Sequence, residues 1–244
     1  MKKTWLLLLA FINTTTFSQP NANALLEKVD ENMASENRIS ESTMIIHGRR
    51  DSRTITARTW SVGTEKSFTE YLSPAREQGT KMLKLEDQLW IYSPSTDRTI
   101  QISGHMLRQS VMGSDLSYED MMDTRKLTDV YDARLEGEET IGGRPTWVVH
   151  LQARVDDIAY HSRKIWIDTE RYVPLKEELF AKSGQLLKQT TFSEVKQIDG
   201  RWFPTAMRFK DMLKQGDGTE FIITSIQFNQ DIPEHMFTKA VLRR

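Results

Sequence analysis

From residue 42 onward the chain alternates apolar and polar side chains with a period of two, in run after run separated only by turn residues. The runs at 54–62, 67–72, 81–85, 88–92, 146–154, 163–168, 175–182, 186–195, 201–210 and 219–228 are rich in β-branched and aromatic residues. Between them stand Gly63, Ser73-Pro74, Ser93-Pro94, Gly142-Gly143, Ser183-Gly184, Asp199-Gly200 and Gly216-Asp217-Gly218, all turn formers. No helical pattern separates consecutive runs, so parallel crossovers have nothing to be built from. The expectation is a mainly β chain with a few helices, its strands joined by hairpins into one antiparallel meander of about ten or eleven strands.

Such a sheet either packs on another sheet or curls around contents. Trp147, Val149, Leu151 and Ala153 share one parity and His150, Gln152 and Arg154 the other, so one face is dry. Leu89-Trp90-Ile91-Tyr92 and Lys164-Ile165-Trp166-Ile167 are apolar on both faces and need cover. Two segments are free to give it. Leu25, Leu26, Val29 and Met33 form a helical stripe that Asn21 or Asn23 caps. In the second segment, 103–124, Met106, Leu107, Ser110 and Val111 fall at helical spacing and Met112-Gly113 breaks the run. Ser117 and Asp120 then have capping-box spacing for a second short helix. Four of the eleven methionines lie here, at 106, 112, 121 and 122, either as an adaptable ligand-facing surface or as filler of irregular core gaps.

Composition narrows the chemistry. With 33 basic against 34 acidic side chains the formal charge is −1, which gives no attraction for nucleic acid. The absence of cysteine excludes disulfides, thiolate metal sites, a Cys nucleophile and a Cys-linked lipid anchor. His47, His105, His150, His161 and His235 form no i, i+4 pair, and neither G-x-S-x-G nor a Gly-rich phosphate loop occurs. Asp115, Ser117, Glu119, Asp120 and Asp123 resemble a calcium loop only superficially. Asp120 holds the sharp-turn position and Lys126 the bidentate one, so helix capping accounts for them better. No enzyme, metal or cofactor is expected.

At the N-terminus, Lys2 and Lys3 precede an apolar stretch at 5–12, and Thr16-Phe17-Ser18 suits cleavage before Gln19. This reads as a signal peptide over 1–18 followed by one domain over 19–244. The apolar stretch is far short of the roughly 20 residues a spanning helix needs. The expected product is an exported protein that does not span the membrane, periplasmic in a diderm bacterium.

Three stretches together resemble a known family: 71–80 (YLSPAREQGT), 89–94 (LWIYSP) and 110–120 (SVMGSDLSYED). The strand at Trp166-Ile167-Asp168, Gly200-Arg201-Trp202-Phe203-Pro204 and the closing Ile232-Pro233-Glu234-His235-Met236-Phe237 add to the likeness. The family is that of the outer-membrane lipoprotein-sorting proteins, relatives of the lipoprotein carrier LolA. The resemblance implies a strongly curved antiparallel sheet forming an unclosed half β-barrel of LolA/LolB type, with an α-helical lid over an apolar hollow. It implies a soluble carrier that shuttles acyl chains of lipoproteins or lipids between inner and outer membrane, served by an inner-membrane exporter and an outer-membrane acceptor. A carrier is physically necessary: at about 0.8 kcal/mol per methylene, a 16-carbon chain exposes on the order of 12 kcal/mol to water. Parity and resemblance point Trp90, Trp147, Trp166 and Phe192 into the hollow and put Met106, Leu107, Val111, Met112 and Met122 on the lid. Plain core packing is the alternative for each. The family's lid-latching Arg-Pro pair after a strand Trp is missing from Trp60-Ser61-Val62-Gly63-Thr64, leaving Arg58 and Arg76 as substitutes by neighbourhood alone. The competing function is a regulatory module of the same fold that senses a lipidated or misfolded ligand through a membrane-protein partner.

Overall fold

The computed structural model describes residues 20–48 and 51–243; the expected signal peptide over 1–18 lies outside them. Helix α1 (Ala22–Met33) opens the chain, and the Asn21 side chain accepts from the amides of Asn23 and Ala24, satisfying two otherwise orphaned donors. Six strands follow: β1 (Asn37–His47), β2 (Ser52–Val62), β3 (Lys66–Ser73), β4 (Lys81–Leu85), β5 (Gln88–Ser93) and β6 (Arg98–Ile102). The segment 103–130 holds two 3-10 turns and the short helices α2 (Tyr118–Met122) and α3 (Leu127–Val130). Seven more strands complete the sheet: β7 (Tyr131–Ile141), β8 (Arg144–Ala153), β9 (Ser162–Asp168), β10 (Pro174–Phe180), β11 (Leu186–Ile198), β12 (Arg201–Asp211) and β13 (Thr219–Phe228).

All thirteen strands form one antiparallel sheet in the order β6-β5-β4-β3-β2-β1-β13-β12-β11-β10-β9-β8-β7. The expected single meander is therefore two, β1 to β6 and β7 to β13, meeting where β1 pairs β13. Strands β1, β6 and β7 add to the expected ten. The two hairpins with Gly142-Gly143 and Asp199-Gly200 place both central residues at positive φ, the twist-matched turn that these residue types favour.

The sheet is open: its edges are β6 and β7, and segment 103–130 runs from one edge to the other. Its curvature follows from two contacts of α2. The Lys84 ammonium of β4 donates to the Met122 carbonyl at 2.7 Å, and the Lys188 ammonium of β11 reaches Asp120. Those strands stand six places apart, about 29 Å in a flat sheet at roughly 4.8 Å per strand. Only a strongly curled sheet brings both to one short helix. The concave face thus takes the lid, and α1 lies on the same face. There Leu25, Leu26 and Val29 pack on Val149, Leu151, Ile165 and Ile167. The C-terminal 3-10 turns cover the convex face instead, where Ile232, Phe237 and Leu242 pack on Phe68, Leu83 and Trp90.

Candidate functional site

Strand register turns the concave wall into rows. Arg38, Ser61, Ser67 and Lys84 are successive cross-strand partners on β1 to β4. One step along lies Ser40, Thr59, Thr69 and Met82, then Ser42, Ala57 and Tyr71. Beyond them Phe192, Met207, Phe221, Met44 and Ile55 form an apolar row over β11, β12, β13, β1 and β2. The hollow therefore changes from polar at one strand end to apolar towards the other. Its polar part is a recess of about 160 Å3 under the end of α1. Its apolar part, lined by Met44, Ile55, Ala57, Tyr71 and Phe221, is filled by Val111, Leu116 and Met121 from the lid, leaving about 40 Å3.

The lid is fastened by side chains and not by strand pairing. From β2, Arg53 donates to the Met112 carbonyl. From β4, Lys84 gives all three of its protons, to the carbonyls of Thr64 (2.6 Å) and Met122 (2.7 Å) and to Thr124 Oγ1 (2.7 Å). Burial pushes the Lys84 ammonium down to about 8, offset in part by Asp123. In the middle of the lid Asp115 is buried: its amide donates to Thr219 Oγ1 (3.0 Å), and its carboxylate accepts from Thr219 Oγ1 (2.8 Å) and the Asp211 amide (2.9 Å). Ser117 and Asp120 form the expected capping box. Asp120 also takes the Lys188 ammonium and the Tyr160 hydroxyl. Burial favours the neutral Asp120 acid, but Lys188, the Ser117 amide and Tyr160 together hold its carboxyl below the usual range. Behind it Arg163 pairs with Glu177 at 3.0 Å and donates to the Tyr131 hydroxyl at 2.7 Å. Neither Arg58 nor Arg76, the substitutes named by neighbourhood, has a side-chain contact to the lid among the described residues. Arg58 stacks over Trp60 on the convex face and Arg76 is exposed beside Glu77.

Of the aromatics read as inward, Trp147 and Phe192 lie on the concave face, Trp147 against the α1 cluster and Phe192 in the apolar row. Trp90 and Trp166 lie on the convex face. Trp90 shares a row with Phe68 and Leu83 beneath the C-terminal segment, with Lys239 Nζ 4.0 Å from its ring. Trp166 pairs with Val148 and donates from Nε1 to Glu139 Oε2 at 2.8 Å. Its neighbours Ile165 and Ile167 are the ones that meet α1. Both tryptophans sit in runs apolar on both faces, where period two gives no parity. Met106, Leu107 and Met122 pack on Met82, Leu89 and Ile102; Val111 is buried, and Met112 meets the Met44–Tyr71 cluster at φ 51°. Met44, Ile55, Met207 and Phe221 were missed by sequence reasoning; their shared parity was the available signal. Among the described residues no three His, Asp or Glu side chains converge as a metal site would.

Comparison with known proteins places this geometry. A family model described as "Uncharacterized protein" matches residues 63–244. No curated protein matches the chain. Among solved structures, the chain is similar to a domain from Vibrio parahaemolyticus described as an outer membrane lipoprotein-sorting protein. The two are 25% identical with a TM-score of 0.80, over 91% of this chain and 98% of that one. A DUF1329 family protein from Desulfovibrio piger gives 25% identity and a TM-score of 0.81 over 90% and 97% of the two chains. A LolA superfamily protein from Nitrosomonas europaea gives 24% and 0.76 over 91% and 100%.

Proposed function

We propose that this chain, whose fold is shared with an outer-membrane lipoprotein-sorting domain and a LolA superfamily protein, is a periplasmic carrier that binds acyl chains of lipoproteins or lipids beneath its lid. The observation that carries this reading is the apolar row Phe192, Met207, Phe221, Met44 and Ile55, whose Phe221, Met44 and Ile55 end is covered by lid residues Val111, Leu116 and Met121. Ligand pockets are typically about 300–1,000 Å3, far above the 40 Å3 left in this apolar pocket. Loading therefore requires Val111, Leu116 and Met121 to withdraw, exposing a trough that an acyl chain refills. The exchange of one apolar filling for another keeps the cost of opening small once cargo is present. Binding, with no bond made or broken, is the work of the site. Among the described residues no helix is long and apolar enough to cross a membrane. A donor exporter and an acceptor in the outer membrane complete the scheme.

Native mass spectrometry of protein taken from a bacterial envelope tests the proposal, together with uptake of a fluorescent fatty acid. A lipid-mass adduct and saturable uptake are expected. Phe221→Glu, which puts a carboxylate in the apolar row, should lower uptake at least roughly tenfold. A wild-type protein with neither adduct nor uptake refutes the carrier.

A further inference from the structure

We propose that the polar recess at the end of the concave face binds a phosphate-like oxyanion, the charged head of the acyl cargo. The tail half of this statement rests on the carrier reading; the anion site itself does not. Four observations carry it. First, the side chain of Arg38, half-buried on the recess wall, has no hydrogen bond or ion pair with any described residue. A guanidinium with five donors is rarely left so, because desolvating a charge without a partner is costly. Second, its cross-strand neighbour Ser61 has a buried hydroxyl that also lacks any hydrogen-bond partner. Third, Lys84 adds a positive charge on the same row while no carboxylate side chain lines the recess. Lys66, at the rim, is neutralised by Glu234, and the Ala34 carbonyl at the end of α1 is taken by Arg201. Fourth, the recess and the apolar pocket share Thr59, Thr69 and Met121, so head and tail positions are continuous.

The fit is chemical. A tetrahedral oxyanion accepts the fork of an arginine and a hydroxyl proton together, and such charge-assisted bonds are the strong ones. The volume of about 160 Å3 is several times the roughly 30 Å3 share of one water molecule. An alcohol head group would leave Arg38 unpaired.

Binding of dodecyl phosphate, dodecanol and inorganic phosphate to the wild-type protein and to Arg38→Met and Arg38→Lys tests this. Dodecyl phosphate is expected to bind at least about tenfold tighter than dodecanol. Arg38→Met should erase that advantage without weakening dodecanol, and Arg38→Lys should keep part of it. Unliganded Arg38→Met should melt no lower than wild type, since it removes an uncompensated charge; a lower melting temperature would mark Arg38 as structural and overturn the proposal. Equal affinity for the two amphiphiles, untouched by Arg38→Met, would overturn the oxyanion site and leave the carrier standing. Arg38-dependent binding of inorganic phosphate with neither amphiphile bound would keep the site, assign it to the free anion and sink the carrier. No binding of any probe would overturn both.

Discussion

Lys84 of β4 and Lys188 of β11 hold α2 from opposite walls, Lys188 through Asp120 on the helix itself, and removing either contact has a definite cost. Asp120 satisfies Lys188, Tyr160 and the Ser117 amide together. Breaking a buried pair strands its partner, so Asp120→Ala should lose about 3 kcal/mol in urea unfolding. The pH dependence has a fixed sign. A carboxyl held below its unfolded value of about 3.9 stabilises the fold above that pH, and the contribution fades as acid protonates it. Wild-type stability should fall more steeply below about pH 4 than that of Asp120→Ala; parallel curves would contradict the network. Lys84→Met removes three hydrogen bonds at once, although the Thr64 carbonyl keeps the Thr124 hydroxyl and the Met122 carbonyl keeps the Thr124 amide. Amide exchange over 117–124 should then quicken at least tenfold at about 1 kcal/mol or more per lost contact, with exchange in β11 and β12 unchanged.

Helix α1 is a wedge against the far wall. Leu26 is fully buried there, and Asp30 accepts from the amides of Leu127 (3.1 Å) and Thr128 (3.0 Å), capping α3. Leu26→Ala should cost about 3 kcal/mol by denaturant unfolding, and a loss under about 1 kcal/mol would mean α1 is loosely seated. The strands show what the sequence could reveal. Runs with one dry face, such as β8, declared both type and facing. β5 and β9, covered on both faces, declared only type, and the large indoles of Trp90 and Trp166 were assigned inward while their aliphatic neighbours took that face. β7 was hidden because an edge strand exposed along much of its length carries charges at Asp132, Arg134, Glu136, Glu138 and Glu139. β1 was hidden because Arg38, Ser40 and Ser42 interrupt the apolar parity at the polar end of the hollow. Lys84 had the look of a solvated lysine; only a contact across the curled sheet reveals its use.

Across the molecule, one sheet bent through thirteen strands leaves two edges, and the chain must travel from one to the other. That crossing is the lid, so connectivity alone puts an irregular, side-chain-fastened segment over the apolar face. The closed form buries Val111 where cargo would lie, and the account stands on that segment moving away. The chain has no cysteine of its own, so a single engineered pair reports cleanly. Asp115 on the lid and Thr219 on β13 touch at 2.8 Å. In the double variant Asp115→Cys with Thr219→Cys, fluorescent fatty-acid uptake should vanish on oxidation and return to the wild-type level on reduction. Equal uptake with the pair oxidised and reduced would show that acyl chains bind without the lid leaving the concave face, and would contradict the account.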